Sequence, residues 1–123
     1  MVSLVLLTGF LGLVLPADAE ESWPSWRGSR GDGSSPDETV PLEWNVQKNT
    51  IWKKSLPGKG HASPIVWKDH VFVVAAVEDR RVLLCLDRLS GEERWVKTVL
   101  TSSREPIHRR NSLASSTPVT DGR

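Results

Sequence analysis

The sequence predicts an all-β fold, and three observations support this prediction. After residue 50 the chain alternates between short apolar runs rich in Val, Ile and Leu and polar turns that contain Gly, Pro, Ser and Asp. Two stretches of this pattern recur later in the chain in the same order. The chain of 123 residues contains six tryptophans and no tyrosine, which indicates structural anchors that repeat with the pattern.

The strands are predicted one after another, and turn residues bound each of them. They cover residues 51–56, 63–67, 71–77, 82–87 and 94–99. Gly91 lies in the turn before the last strand, where it can adopt a positive φ. The strands at 71–77 and 82–87 are apolar at consecutive positions, so we expect other parts of the fold to cover both faces of their sheet.

The recurring stretches select one architecture among the all-β folds. The stretch 52–56 (WKKSL) recurs 43 residues later as 95–99 (WVKTV), and 63–66 (SPIV) recurs 54 residues later as 117–120 (TPVT). A longer connection over 100–116 accounts for the difference in spacing. A repeat of roughly 40–50 residues with four strands is typical of the blades of a β-propeller.

The prediction is therefore a β-propeller of four-stranded antiparallel blades that starts at residue 50. Only the blade at 63–99 is expected to be complete, and the next blade is expected to begin at residue 116. The strand at 51–56 is expected to close a last blade whose inner strands come from a later part of a longer protein. The chain is thus expected to be the N-terminal piece of that protein.

The first 19 residues are predicted to be a signal peptide. Residues 4–15 are almost wholly apolar, Pro16 interrupts the run, and Ala17-Asp18-Ala19 supplies the small residues needed for cleavage after Ala19. A buried core helix is the alternative. The run is shorter than the ~20 apolar residues that span a membrane. We therefore expect the mature protein in the periplasm or outside the cell, without a membrane anchor.

Residues 20–49 are predicted to form an irregular lead-in, because Gly, Ser, Pro and charged residues dominate and no helical or strand periodicity is present. Its tryptophans at 23, 26 and 44 are expected to attach it to the sheet.

The whole chain has 16 basic and 15 acidic residues, which argues against nucleic acid as a partner. The single cysteine, Cys85, lies in an apolar run and is expected to be buried.

Several motifs together resemble one family. They are 23–28 (WPSWRG), 60–66 (GHASPIV), 84–87 (LCLD), 90–92 (SGE) with Trp95, and 116–122 (STPVTDG). This set resembles exported bacterial proteins with pyrroloquinoline-quinone-like (PQQ-like) β-propeller repeats, and it covers about residues 23 to 123. The most specific part is the series that runs from Leu84 to Trp95, because in that family the tryptophan of each outer strand docks between blades.

The resemblance implies two kinds of function. One kind of member is a quinoprotein dehydrogenase that binds PQQ and Ca²⁺ in the central channel, and the other keeps the repeat as a scaffold without the cofactor. The dehydrogenase residues lie in blades that this chain does not contain, so no catalytic, metal-binding or cofactor-binding residue is assigned. We expect a non-catalytic binding or protein-interaction scaffold. The alternatives are a PQQ-dependent dehydrogenase and a propeller fused to another enzyme domain.

One group of residues is a candidate binding site. In a propeller, the connections that enter the first strand of each blade lie on one rim beside the central channel. His61 precedes the first such strand, and His108, Arg109 and Asn111 precede the next. These four residues could therefore line a pocket for another protein or a small ligand. The alternative, which we favour from the sequence, is that they only hydrogen-bond the loops to each other.

Overall fold

A computed structural model describes residues 22–36, 39–101 and 106–123, and the predicted signal peptide lies outside these ranges. Its four strands are β1 Ile65–Trp67, β2 His70–Val77, β3 Arg80–Asp87 and β4 Glu93–Thr101. They form one open antiparallel sheet in chain order, with no helix in the described part. The four-stranded meander expected over 63–99 is confirmed. Its membership of a propeller stays a prediction.

The sheet has two faces, because neighbouring residues of a strand point to opposite sides and residues paired across strands share a side. We call them the valine face and the aromatic face. The valine face carries Val66, Val71, Val73, Ala75, Val82, Leu84 and Leu86. The aromatic face carries Ile65, Trp67, Phe72, Cys85 and Trp95. Both faces contain buried residues, which on the aromatic face are Ile65 and Cys85.

A segment that precedes the sheet covers the valine face, and we call residues 51–58 the leading segment. Trp52 packs against the cluster formed by Val71, Val73 and Leu86. Its indole Nε1 donates a hydrogen bond of 2.8 Å to the carbonyl oxygen of Arg88. A large apolar ring with its single polar atom satisfied is well suited to this half-buried place.

A segment that follows the sheet covers the aromatic face, and we call residues 112–122 the trailing segment. Gly122 lies against the ring of Trp67, so closely that a side chain would overlap it. Near the other end of the segment, the guanidinium Nε of Arg81 donates to the carbonyl oxygen of Leu113 at 2.5 Å. The two segments therefore enclose one sheet from opposite sides.

The strand predicted over 51–56 differs from the structure, which has no strand there among the described residues. A strand needs a neighbour for its backbone hydrogen bonds, and this segment instead crosses the valine face through Trp52. The tryptophans at 52 and 95 thus lie on different kinds of element in this structure. Likewise, residues 116–120 form no strand here. Their roles in other blades stay predictions.

The lead-in joins the sheet at one tryptophan of the three expected. Trp23 forms a bridge with Val66, with backbone N–O distances of 2.8 and 2.9 Å. The backbone N–H of Thr120 donates to the carbonyl oxygen of Pro24 at 3.1 Å, which ties the trailing segment to the lead-in. The side chains at 26 and 44 are 60% and 72% exposed, so the expectation that they attach the lead-in is wrong.

Asp87 organises the turn between β3 and β4. Its Oδ1 accepts hydrogen bonds of 2.9 Å from the backbone N–H groups of Leu89 and Ser90, and its Oδ2 pairs with Arg94 at 2.5 Å. Gly91 completes the turn at φ 72°, as expected, under the ring of Trp52. The Arg94 guanidinium and the backbone of Ser90 hold the pKa of Asp87 well below its usual range.

Because the pKa of Asp87 is lowered in the folded protein, we expect the stability of the fold to decrease as the pH falls into the acidic range. A carboxyl whose pKa is lower in the folded than in the unfolded state stabilises the fold above its unfolded pKa, about 3.9, and loses this effect as pH falls through the folded pKa. The melting temperature should therefore drop between about pH 5 and pH 2. Asp87→Asn should flatten part of that drop, measured by circular dichroism. The control Asp121→Asn changes an exposed carboxylate and should leave the profile unchanged. Parallel profiles for wild type and Asp87→Asn would contradict this role.

Gly58 makes a close approach that only glycine permits. It adopts φ 67°, and a Cβ there would overlap the carbonyl oxygen of Ala76. The next residue, Lys59, forms a two-bond bridge with Ala76, at 2.9 and 2.7 Å. Gly58 therefore lets the chain that enters β1 pair with the far end of β2.

Gly58→Ala is expected to lower the free energy of unfolding by about 2–3 kcal/mol, because left-handed strain and the overlap with Ala76 act together. Gly31→Ala is the matched control. It has a similar φ of 72° and nothing within 4 Å of its added Cβ, so it should cost only about 1 kcal/mol. Urea denaturation compares the two, and equal losses would show that the approach to Ala76 does not matter.

Candidate functional site

A cleft of about 880 Å³ lies at the end of the sheet where β2 turns into β3. Three stretches of chain form its walls. They are the turn that enters β1 (residues 58, 59 and 61), the end of β2 with its turn (Ala76 and Glu78), and the loop that leads into the trailing segment together with its first two residues (107 and 109–113). The cleft is thus built where one connection enters the sheet and another leaves it.

Three of the four residues predicted from the sequence meet in this cleft. His61 lies on one wall, and Arg109 and Asn111 lie on the other. They are 48 and 50 positions away from His61 along the chain. The structure therefore places these three residues around one cleft. Their role as a binding site and the identity of the cleft as a propeller rim both stay predictions.

His108, the fourth residue, does not line the cleft and instead closes its own loop. Its ring Nδ1 accepts a hydrogen bond from the backbone N–H of Arg110 at 3.3 Å. Its carbonyl oxygen accepts one from the backbone N–H of Asn111 at 2.8 Å. Its side chain therefore shapes the turn that presents its neighbours, and both of these hydrogen bonds stay within its own loop.

The alternative in which these residues hydrogen-bond the loops to each other describes the backbone of His61. The N–H groups of His61 and Ala62 both donate to the carbonyl oxygen of Ala114, at 3.0 and 3.1 Å. Ala114 is buried, and the backbone N–H of Ser63 donates to Thr117 Oγ1 at 3.1 Å. These bonds hold the two walls together through the backbone. His61 itself is exposed and lines the cleft.

Three charged residues that line the cleft were not predicted from the sequence: Lys59, Glu78 and Arg110. Arg110 adjoins Arg109, so the basic pair itself was the signal for it. Lys59 and Glu78 become neighbours of the loop only through the pairing of the chain before β1 with the end of β2, which no local pattern reveals.

The charges of the cleft do not balance. Lys59, Arg109 and Arg110 carry positive charge, and Glu78 is the acid among the described lining residues. None of the ion pairs found in the described ranges involves these three cations. The cleft therefore presents a positive field over partly apolar walls, which include Ile107.

The described residues do not provide a metal centre. No group of three or more His, Cys, Asp or Glu side chains lies close enough to hold a metal ion in the ranges 22–36, 39–101 and 106–123. Nor does a helix long and apolar enough to cross a membrane occur in those ranges.

No protein-family model matches the chain, and no curated protein or solved structure matches it.

Proposed function

We propose that the sheet is one blade of a β-propeller with PQQ-like repeats, and that the exported protein is a non-catalytic scaffold that binds another protein or a small ligand at the cleft. The observation that carries this proposal is the pair of covering segments. One comes from before the sheet and one from after it, and they lie on opposite faces. Neighbouring blades approach a blade from these two sides.

The burial across the sheet supports the same proposal. Buried side chains concentrate on β1, β2 and β3, whereas β4 is exposed along its described side chains apart from the half-buried Trp95. Propeller blades have this gradient, because their inner strands face neighbours and their outer strand faces solvent. A single four-stranded sheet has little core of its own and is stabilised by such neighbours.

The cleft supports the binding part of the proposal. It forms where the connection into β1 meets the connection toward the trailing segment, and in a propeller both would lie on the same rim. Binding residues are often found on loops that a rigid sheet positions. Here the bridge between Lys59 and Ala76 and the bonds to Ala114 hold both walls in place.

Site-resolved crosslinking in the full-length protein tests this function. We expect a photo-crosslinking amino acid at position 111 to give a discrete adduct in cells that export the protein, since Asn111 is exposed in the cleft. The same amino acid at position 54, on the exposed part of the leading segment, is the control and should give none. Equal labelling at both positions would contradict a binding site in the cleft. So would a His61→Ala variant that lowers the melting temperature but leaves the adduct unchanged.

The alternative expected from the resemblance, a PQQ-dependent dehydrogenase, has its own readout. Titration of the full-length protein with PQQ and Ca²⁺ would give saturable binding with one cofactor per chain if that alternative is right.

Export is checked by the mass of the secreted protein, which should begin at Glu20.

A further inference from the structure

We propose that the cleft recognises an acidic segment of a partner protein through the carboxylates of that segment. This inference rests on the proposed function, because it names the chemistry of the partner at the same site. Three cations lie around one cleft, Lys59 on one wall and Arg109 with Arg110 on the other. Carboxylates are the side chains that complement such a field in an exported protein partner.

The arrangement of the cations favours an extended segment over a single small anion. Lys59 and Arg109 belong to different walls of a cleft of about 880 Å³, so one carboxylate does not fill it. Ile107 and Leu113 add apolar surface to the wall that carries the arginines. A strand-like segment that alternates acidic and apolar side chains could place the two kinds of group on opposite sides of its backbone.

Two features make the cations available to a partner. Arg109 and Arg110 are exposed. The turn that presents them is fixed by His108, whose carbonyl oxygen accepts a bond of 2.8 Å and whose ring Nδ1 accepts one of 3.3 Å. Lys59 is likewise exposed, and its backbone is pinned to Ala76. The charged groups are therefore carried on ordered backbone, which reduces the entropy lost on binding.

Glu78 limits where the acidic side chains of the partner segment can lie in the cleft. It is the acidic group among the described lining residues and repels carboxylates that approach the β2–β3 turn. The acidic side chains of the partner should therefore lie toward Lys59 and the two arginines. A segment with acids at every position should bind less well than one in which acids alternate with apolar residues.

Fluorescence anisotropy with the full-length protein tests the inference. The probe is a short labelled peptide in which aspartate alternates with leucine, and its control carries asparagine in place of each aspartate. We expect the acidic peptide to bind at least about tenfold more tightly than the amide peptide. Its affinity should fall as salt is raised.

A matched pair of variants separates the cleft from general charge. Arg109→Ala with Arg110→Ala removes two adjacent cations from the cleft, and Lys53→Ala with Lys54→Ala removes two from the leading segment. The first change should weaken binding of the acidic peptide about tenfold, and the second should leave it unchanged. Arg109→Lys with Arg110→Lys keeps the charge and should recover most of the binding.

Several results would overturn the inference. One is a failure of the acidic peptide to bind, and another is equal binding of the amide peptide. A third is a loss of binding in the variant with Lys53→Ala and Lys54→Ala that is as large as the loss in the variant with Arg109→Ala and Arg110→Ala. A fourth is displacement of the acidic peptide by an equal concentration of citrate, which would indicate a small-anion site. If any of these occurs while the adduct at position 111 persists, the cleft binds a partner of different chemistry. If the adduct is also absent, the proposed function fails with it.

Discussion

Replacing Trp52 with alanine is expected to lower the free energy of unfolding by about 3 kcal/mol. The change removes the ring that packs on Val71, Val73 and Leu86 and leaves the carbonyl oxygen of Arg88 without its indole donor. For a chain of this size that loss corresponds to a fall in melting temperature of roughly 10 °C or more. Chemical denaturation followed by circular dichroism measures it in the full-length protein.

Two further variants separate the apolar contact of Trp52 from its hydrogen bond and from the general effect of removing a tryptophan. Trp44→Ala removes a ring that is 72% exposed and should change stability by less than about 0.5 kcal/mol. Trp52→Phe keeps most of the apolar contact but loses the hydrogen bond to Arg88, and should cost about 1 kcal/mol more than the exposed control. If Trp52→Ala matches Trp44→Ala, the leading segment does not stabilise the valine face.

Leu84→Ala is expected to be the most damaging single substitution inside the sheet, with a loss of about 3–5 kcal/mol. Leu84 is 1% exposed at the centre of the valine face, between Val73 on β2 and Val96 on β4. Truncation leaves a cavity that the flat backbone of a four-stranded sheet cannot close. A loss this large should remove the cooperative unfolding transition or shift it to much lower denaturant.

Leu42→Ala provides the comparison, because it deletes the same atoms from a side chain that is 95% exposed. It should leave the midpoint of unfolding within experimental error. Similar midpoints for the two variants would mean that the valine face is not the core of the folded protein.

The sequence was sufficient to place the strands of the sheet and most of their turns. Val, Ile and Leu in runs of this length favour strands, and the turn residue Gly91 adopts the positive φ expected of it. Cys85 is 0% exposed, as its apolar run predicts, and this burial raises the pKa of its thiol. These features depend on nearby residues, so local patterns suffice to predict them.

The features that the sequence did not reveal depend on pairings over long distances. The stretch 51–56 has the residue types of a strand, but a strand also needs a partner, and the described chain offers Trp52 a sheet face instead of a strand edge. For the cleft, the position of His61 and Asn111 beside their connections suggested that they could meet, although the alternative of loop-to-loop hydrogen bonds was favoured from the sequence. The contribution of Lys59 requires the bridge to Ala76, which joins positions with no shared pattern.

The hydrogen bond between Thr120 and Pro24 has a consequence for how the chain acquires its structure. The three hairpins of the meander join neighbours in sequence and can form within microseconds of their synthesis. The contact between Thr120 and Pro24 closes a loop of roughly a hundred residues, whose entropic cost is higher and whose formation is slower. The edge of β1 that Trp23 occupies is therefore secured late, after the trailing segment has emerged, and it is the part of the sheet most open to wrong pairing in the interval.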